Sequence, residues 1–170
     1  LDKETTGVLM FAKNEHFLKE MIALFRKHLV QKEYLAIVDG TPSKKQGIVD
    51  NYLGKKHEYQ GQTIWGSVPK EKGLHAITLW KVEKLGTHFS LLKCYPKTGR
   101  THQIRIHLSE MKMPILGDYH YCKSFKSIYQ PKRCLLHALK VSFIHPTTGL
   151  KLVIEAPIPS DFLSALKEIK

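Results

Sequence analysis

Three segments of the chain repeat apolar residues every three or four positions, which is the period of an amphipathic helix. The first covers 15–29 and follows Asn14, a residue type that caps helix N-termini well. The second starts at Thr101 and ends before Pro114. The third follows a Ser160 cap and runs to residue 169. We therefore predict three helices, separated by long non-helical stretches.

Other segments alternate apolar and polar residues, which is typical of half-buried strands. Residues 32–38 form one such segment, which ends at a turn signal over 39–42. Two hairpins are predicted farther along, with turns at 86–87 and 145–149. Their four strands cover 76–85, 88–95, 135–144 and 150–154. Strands that follow one another through short turns pair in antiparallel fashion.

Two segments show neither period clearly. Residues 42–74 are rich in glycine, lysine and polar side chains, and we expect a long irregular segment with short strand-like pieces near Ile48 and Trp65. Residues 117–134 form a polar loop that contains a cluster of tyrosine and histidine. Together the elements predict one α+β domain over 1–170, with a mixed, mostly antiparallel sheet flanked by helices and loops. The order of elements does not fit a nucleotide-binding βαβαβ fold, and the sequence has no glycine-rich phosphate loop.

The charge of the chain is unusual. Its 27 Lys and Arg outnumber its 15 Asp and Glu, which gives a net charge of +12. Within 86–151 only Glu110 and Asp118 oppose 11 basic residues, and three of the four arginines lie there. Arginine forms two-pronged hydrogen bonds with phosphate, so this distribution favours a polyanionic partner, most often a nucleic acid. A basic protein without such a partner is the alternative at this point.

Cysteine and hydropathy narrow the class further. The 3 cysteines are too few and too scattered for a disulfide framework or a tight zinc site, and this favours a cytoplasmic protein. No apolar run approaches the length of about 18 residues that a membrane-spanning helix needs, so no membrane association is expected.

Two short segments could carry chemistry. Asp2 precedes a Thr-Thr-Gly turn that leads into an apolar run. It can be a simple turn residue, or a carboxylate kept ionised by nearby donors so that it acts as a nucleophile. Tyr34 lies within the strand predicted over 32–38 and can be a core aromatic, or a ring on which a nucleobase stacks.

The segment KTGRTHQIRIH combines a Gly-Arg turn with the start of the second helix, an arrangement suited to binding an anion. Arg100 and Arg105 are five residues apart, so on a helix they point in different directions. One can contact phosphate while the other turns toward a carboxylate. His102 and His107 have the same separation, which is poor for holding one metal ion, and we predict no metal site.

Five blocks occur together in this order: LDKETTGVL, KEYLAIVDG, TGRTHQIRIHL, PILGDYHY and LLHALKVSFIHPTTG. This combination closely resembles the RluA-type pseudouridine synthases over nearly the whole chain. The resemblance implies the pseudouridine synthase fold and the isomerisation of uridine in ribosomal or transfer RNA. It also implies a monomer with RNA as partner, no cofactor, and no obligatory protein partner.

The resemblance assigns roles to residues that match the motifs of the family. Asp2 corresponds to the catalytic nucleophile, Tyr34 to the tyrosine that packs on the target base, and Arg105 to the arginine that pairs with the catalytic carboxylate. Attack at C6 of the base, attack at C1′ of the sugar and a route through a glycal intermediate all agree with this pattern. The candidates for substrate binding are Arg100, Leu136, Thr6 and His102. The candidates for contacts with the RNA backbone are Lys123, Lys126, Lys132 and Arg133.

The sequence departs from the family pattern in three places. The chain starts at Leu1, where the family has a preceding His-Arg pair, and we expect an N-terminal segment of a longer protein to supply it. Thr6 stands where serine is usual, and Cys122 stands where glycine is usual. A non-catalytic RNA-binding module or RNA chaperone on the same fold is the alternative function. A glycosidase or nuclease is disfavoured, because no second carboxylate or metal cluster accompanies Asp2 in the sequence.

Overall fold

The strand predicted over 32–38 is confirmed and lies inside the sheet as β2, Gln31–Asp39. The computed structural model describes residues 1–59 and 62–170, and within these residues eight strands form one mixed sheet. The other strands are β1 (Thr6–Gly7), β3 (Gln46–Tyr59), β4 (Gln62–Ser67), β5 (Leu74–Lys84), β6 (Phe89–Pro96), β7 (Leu136–Ile144) and β8 (Lys151–Glu155). The helices are α1 (Glu15–Arg26), α2 (Gln103–Glu110) and α3 (Ser160–Lys167), with a 3-10 turn over Lys70–Lys72.

The strands follow the order β1-β7-β2-β6-β5-β3-β4, with β8 also paired to β7. All pairings are antiparallel except that of β1 with β7, which is parallel. Both predicted hairpins, β5–β6 and β7–β8, are present, so the predicted α+β class is confirmed. The parallel pairing brings the N-terminal segment beside the start of β7, far from it in sequence.

The prediction of an irregular segment over 42–74 is wrong. β3 is a 14-residue strand that pairs with β5 on one side and with β4 on the other. The alternation of apolar and polar residues in β3 is weak, because Leu53 and Gly54 are its only buried residues among those described. The strand is held by backbone hydrogen bonds to β5, a partner that a local pattern cannot reveal.

The helix boundaries differ from the predictions by a few residues. Asn14 caps α1 as predicted, since its side-chain oxygen accepts a 2.8 Å hydrogen bond from the Phe17 N–H. Helix α2 starts at Gln103 rather than Thr101, because His102 takes a left-handed conformation with a φ of 54°. Ser160 is the first residue of α3 and makes no capping bond, since Pro159 occupies the cap position.

The main core lies between the sheet and the segments that cover it. Leu92, Ile37 and Leu116 are fully buried there, and Phe162 of α3 is buried against them. A smaller cluster packs Met21 of α1 against β7. Burying each large apolar side chain contributes about 1.5–3 kcal/mol. These contacts hold three segments, the N-terminal turn, β2 and the start of α2, around one cleft.

Candidate active site

A cleft of about 370 Å³ opens where the N-terminal turn, β2, the turn before α2 and the start of β7 meet. It brings together six of the residues singled out from the sequence: Asp2, Tyr34, Arg100, His102, Arg105 and Leu136. These residues come from four separate parts of the chain. The volume is within the range of about 300–1,000 Å³ that is usual for small-molecule sites.

The N-terminal turn holds Asp2 at the mouth of this cleft. The Thr5 N–H donates to the Asp2 carbonyl oxygen at 3.0 Å, and the Glu4 carboxylate accepts from the Cys134 N–H at 3.1 Å. Gly7 follows in β1 with a φ of +117°, and a Cβ atom there would lie 2.1 Å from the carbonyl oxygen of Ala138. Glycine at position 7 therefore permits the close approach to β7 that fixes the turn.

Arg105 joins the Asp2 carboxylate to a second, buried carboxylate. Its Nη1 donates to Asp2 Oδ2 at 3.1 Å. Its Nε and Nη2 each donate to an oxygen of Asp118 at 2.8 Å. The side chain of Asp118 is only 2% exposed, while that of Asp2 is 28% exposed. One guanidinium thus orients an accessible carboxylate and satisfies an inaccessible one.

Burial alone would lower the pKa of Arg105, but the hydrogen bonds and the charge of Asp118, together with Asp2, raise it above its ordinary value. The guanidinium therefore stays charged. The ring of Tyr121 lies against it, with 5.2 Å between the Arg105 Cζ and the ring centroid, which adds a cation–π contact.

The role of Asp118 was not predicted from the sequence, in which Asp118 entered only the charge count and the PILGDYHY block. The signal was present in the charge pattern: Asp118 is one of only two acids between residues 86 and 151. A lone acid in such a basic segment is a candidate partner for a buried cation.

Tyr34 lies beside a bulge between Glu33 and Tyr34 in the pairing of β2 with β7, and its half-buried ring lines the cleft. Burial raises the pKa of Tyr34, and the negative charge of Asp2 raises it further. Its phenol is therefore protonated at neutral pH in the unliganded protein. Leu136, at the start of β7, is buried and adds an apolar wall.

His102 lies at the opposite side of the carboxylate from Arg105. Its Nε2 is 4.0 Å from Asp2 Oδ1, and its Nδ1 is hydrogen-bonded to the Tyr121 hydroxyl at 2.7 Å. Burial lowers the pKa of His102, and the positive charge of Arg105 lowers it further. The imidazole is therefore mostly neutral at neutral pH, and it leaves Asp2 Oδ1 without a full ionic partner.

The turn that carries Arg100 is held by a buried amide. Gln103 Oε1 accepts hydrogen bonds from the Thr98 hydroxyl at 2.7 Å and from the Arg100 N–H at 3.0 Å. The Arg100 side chain donates through Nε to the His75 carbonyl oxygen at 2.9 Å. Lys32, which the sequence analysis did not single out, lines the same cleft and donates to the Thr98 carbonyl oxygen at 2.7 Å.

The other predicted site residues lie outside the lining of this cleft. The Thr6 hydroxyl is hydrogen-bonded to Nδ1 of His137 at 2.9 Å, so it supports the N-terminal turn from behind. Arg133 donates to both oxygens of Asp161, at 2.6 and 2.9 Å, and its charge is therefore already partnered. The other three predicted backbone contacts, Lys123, Lys126 and Lys132, lie in the same loop and are exposed to solvent.

Two further features concern the described residues only. Within 1–59 and 62–170, no group of three or more His, Cys, Asp or Glu side chains is placed to hold a metal ion. The helices in this part of the chain include none that is long and apolar enough to cross a membrane.

Comparison with known proteins gives one consistent result. Residues 1–110 match the family described as RNA pseudouridylate synthase. An uncharacterized RNA pseudouridine synthase of Synechocystis is 37% identical over 164 residues, which are 95% of this chain and 49% of that protein. The ribosomal large subunit pseudouridine synthase C of Buchnera aphidicola, subspecies Schizaphis graminum, is 36% identical over 174 residues, 99% of this chain and 55% of that protein. The chain thus spans about half the length of the curated relatives that it matches.

Solved structures resemble the fold closely. The human RNA pseudouridylate synthase domain containing 4 superposes with a TM-score of 0.83 at 27% identity, over 99% of this chain and 73% of that one. The human RNA pseudouridylate synthase domain containing 1 gives a TM-score of 0.76 at 22% identity, over 99% and 78% of the two chains. The second likeness concerns the fold alone.

Proposed function

Because this chain belongs to the RNA pseudouridylate synthase family, as its motifs predicted, we propose that it isomerises uridine to pseudouridine in RNA. The observation that carries the proposal is the Asp2–Arg105–Asp118 arrangement at the mouth of a cleft lined by Tyr34. Some relatives are named as synthases of the ribosomal large subunit, which favours ribosomal RNA as substrate, with transfer RNA as the second candidate.

Asp2 acts as the nucleophile in this proposal. Arg105 binds only one of the two carboxylate oxygens of Asp2, Oδ2. Oδ1 makes no hydrogen bond with the described residues, and His102 lies 4.0 Å away. One carboxylate oxygen is therefore available for attack while the other is held in place. This arrangement orients the nucleophile without neutralising both of its oxygens.

The isomerisation breaks the bond between N1 of uracil and C1′ of ribose, and it forms a bond between C5 and C1′. The proton on C5 leaves, and N1 gains a proton, so the product has the same composition as the substrate. Because substrate and product are isomers, the reaction needs no external oxidant or reductant. We therefore expect no cofactor, and we expect the protein to act as a cytoplasmic monomer without an obligatory protein partner.

Tyr34 packs against the detached base while the base turns, and Leu136 closes the apolar side of the cleft. Tyr34 also assists the departure of the C5 proton. The charge of Asp2 contributes to the raised pKa of Tyr34. While Asp2 is bonded to C6 of the base, in the route that begins by attack at C6, that charge is absent, so part of the increase in the pKa of Tyr34 is relieved when the C5 proton leaves.

The target uridine must leave the base stack to reach the cleft, which costs a few kcal/mol. Contacts between basic side chains and phosphates offset this cost without reading the sequence. The excess of basic residues over 86–151 supplies such contacts, with Arg100 at the cleft and Lys123, Lys126 and Lys132 on the neighbouring loop. Arg133 is also a predicted contact with the RNA backbone. Its guanidinium is already paired with Asp161, so it must bind a phosphate and Asp161 at the same time.

The direct test is incubation of the protein with ribosomal and transfer RNA transcripts that lack pseudouridine. New pseudouridines are then mapped by primer extension after carbodiimide modification. The proposal predicts stops at specific uridines that depend on the protein. If binding to these RNAs is measurable and no stop appears with any of them, the protein is an RNA-binding module rather than a synthase.

A further inference from the structure

A second cavity, of about 310 Å³, adjoins the cleft and is lined by basic side chains. Arg26 and His28 form one side, at the end of α1, and Lys32 and Arg100 form the other. We call these four residues the basic pocket. Among the described residues, no acidic side chain lines this cavity, whereas Asp2 lines the cleft next to it. Four residues line both cavities, and the two charged ones among them are Lys32 and Arg100; the other two are Thr98 and Gly99.

Lys32 and Arg100 are two cations that line the same two cavities. Among residues 1–59 and 62–170, neither forms an ion pair within 4.0 Å. Lys32 uses one N–H on the Thr98 carbonyl oxygen, and Arg100 uses its Nε–H on the His75 carbonyl oxygen. The remaining N–H groups of both side chains are available for an anion. Burial lowers the pKa of Lys32 to about 8, and the charge of Arg100 contributes to this shift.

The end of α1 does not oppose an anion in this cavity as strongly as a helix C-terminus ordinarily would. The carbonyl oxygens of Ala23, Leu24 and Phe25 accept hydrogen bonds from the following turn, at 3.0 to 3.1 Å. These carbonyl groups are therefore satisfied by the chain itself.

The same turn contains His28 in the left-handed conformation, with a φ of 57°. A residue with a Cβ atom is disfavoured there by about 1–2 kcal/mol, and glycine is the usual occupant of this position. His28 nevertheless stands here and lines the basic pocket. His28 thus presents its imidazole to the basic pocket from a backbone conformation that ordinarily favours glycine.

We propose that the basic pocket binds a phosphodiester of the RNA strand next to the nucleotide that occupies the cleft. This inference rests on the proposed function, because it takes the strand to enter the cleft with its target uridine. A strand that passes Lys32 and Arg100 places its sugar and base beside Asp2 and its neighbouring phosphate among four basic groups. The negative carboxylate and the negative phosphate are thereby kept in separate cavities.

The test is the salt dependence of binding to pentauridylate, measured by fluorescence anisotropy from 0.05 to 0.3 M KCl. The variant carries Arg26→Gln and His28→Gln, two exposed positions whose change leaves the core intact. Each lost phosphate contact reduces the steepness of log K against log salt by about 0.7. If the two proteins bind equally at 1 M salt, this change makes the variant bind about fivefold more weakly at 0.1 M salt. Lys44→Gln is the matched control, since Lys44 is exposed and lies outside the linings of both cavities, and it should keep more of the parent slope than the double variant does.

Two outcomes overturn the inference. If the double variant has the same slope as the Lys44→Gln control, the pocket does not bind the RNA backbone. If the double variant has the slope of the control but is no longer stabilised against heat by inorganic phosphate, as the parent is, the pocket holds a free anion rather than an RNA strand. Pseudouridine formation is measured separately. A reduced slope in a protein that forms no pseudouridine supports the basic pocket and contradicts the proposed catalysis.

Discussion

Arg105 and Asp118 form a two-pronged ion pair beneath the cleft, with both hydrogen bonds at 2.8 Å and the carboxylate side chain only 2% exposed. This pair fixes the plane of the guanidinium, so that Nη1 is the nitrogen that reaches Asp2. The position of the proposed nucleophile thus depends on a residue that does not touch the cleft.

Replacing Asp118 by asparagine tests this dependence. An amide accepts at one oxygen only and places an N–H group against the guanidinium, so Arg105 loses one strong bond and its fixed orientation. We expect the free energy of unfolding to fall by about 1.5–3 kcal/mol, the range for a hydrogen bond to a charged group. We expect pseudouridine formation to fall at least tenfold, measured as the single-turnover rate on a ribosomal RNA transcript.

Asp161→Asn is the matched control for Asp118→Asn. Asp161 also binds an arginine through both oxygens, but its side chain is 49% exposed. The expected loss of stability is about 1 kcal/mol or less, with the single-turnover rate unchanged. Equal rates for the Asp118→Asn and Asp161→Asn proteins would mean that the Arg105–Asp118 pair does not position Asp2.

Tyr34 provides a test of base stacking. Tyr34→Phe keeps the ring and should bind the substrate RNA within about twofold of the parent, while Tyr34→Ala should bind about 1–3 kcal/mol more weakly, the range for one stacked base. The measurement is a binding titration at fixed salt, with the fold of each variant checked by circular dichroism. If the alanine variant binds as tightly as the phenylalanine variant, the ring does not carry a base.

The lysines of the loop before β7 provide a test of the predicted RNA backbone contacts. We expect Lys123→Gln, Lys126→Gln and Lys132→Gln together to weaken binding of a transfer RNA transcript and to flatten its salt dependence. Fewer phosphate contacts mean that fewer counterions are released when the RNA binds. Lys44→Gln again serves as the control. A slope equal to that of the parent would place the RNA elsewhere.

Much of the site was predictable because its residues lie within short motifs. The sequence placed Asp2, Tyr34 and Arg105 correctly in one cleft only through the resemblance to a family, since spacing cannot bring residues 2, 34 and 105 together. Helical geometry does not relate Arg105 to Arg100, because Arg100 lies in the turn before α2 and not on the helix. The pairing of Arg105 with Asp118 was not predictable either, because side-chain pairs between a helix and a loop depend on tertiary packing.

The β3–β4 hairpin shows the same limit for the fold. Its alternation is weak, and its register comes from pairing with β5, which a local pattern does not encode. Lys32 was overlooked for a related reason. A lysine at a strand end is ordinarily solvated, and only the Thr98 carbonyl oxygen and the nearby Arg100 distinguish this one.

The buried His107 provides a test of how α2 is anchored to the sheet. Its Nδ1 is hydrogen-bonded to the Thr78 hydroxyl at 2.9 Å, and its Nε2 to Asn51 Oδ1 at 3.0 Å. Burial lowers the pKa of His107 from 6.5 to about 4. The unfolded chain therefore binds a proton near pH 6.5 that the folded protein does not bind until about pH 4. The contribution of neutral His107 to the free energy of unfolding is thus fully present above pH 6.5 and is lost as the pH falls toward 4.

His107→Gln removes this titration. Between pH 7.5 and 4.5, the parent should lose on the order of 2–3 kcal/mol more of its free energy of unfolding than the variant, measured by urea denaturation. Other histidines titrate in both proteins, so their contributions cancel in the comparison. An equal loss in the two proteins would show that His107 is protonated in the folded state over this range.

The most direct test of the proposed catalysis uses RNA labelled with tritium at C5 of uridine, because the isomerisation releases the C5 proton to water. The parent and a Glu71→Gln control, exposed on the 3-10 turn, should release tritium at the same rate. Asp2→Asn should bind the RNA with unchanged affinity and release tritium at least about a thousandfold more slowly, the effect expected when a nucleophile is lost. Release by Asp2→Asn at the rate of the parent would contradict the assignment of Asp2 as the nucleophile.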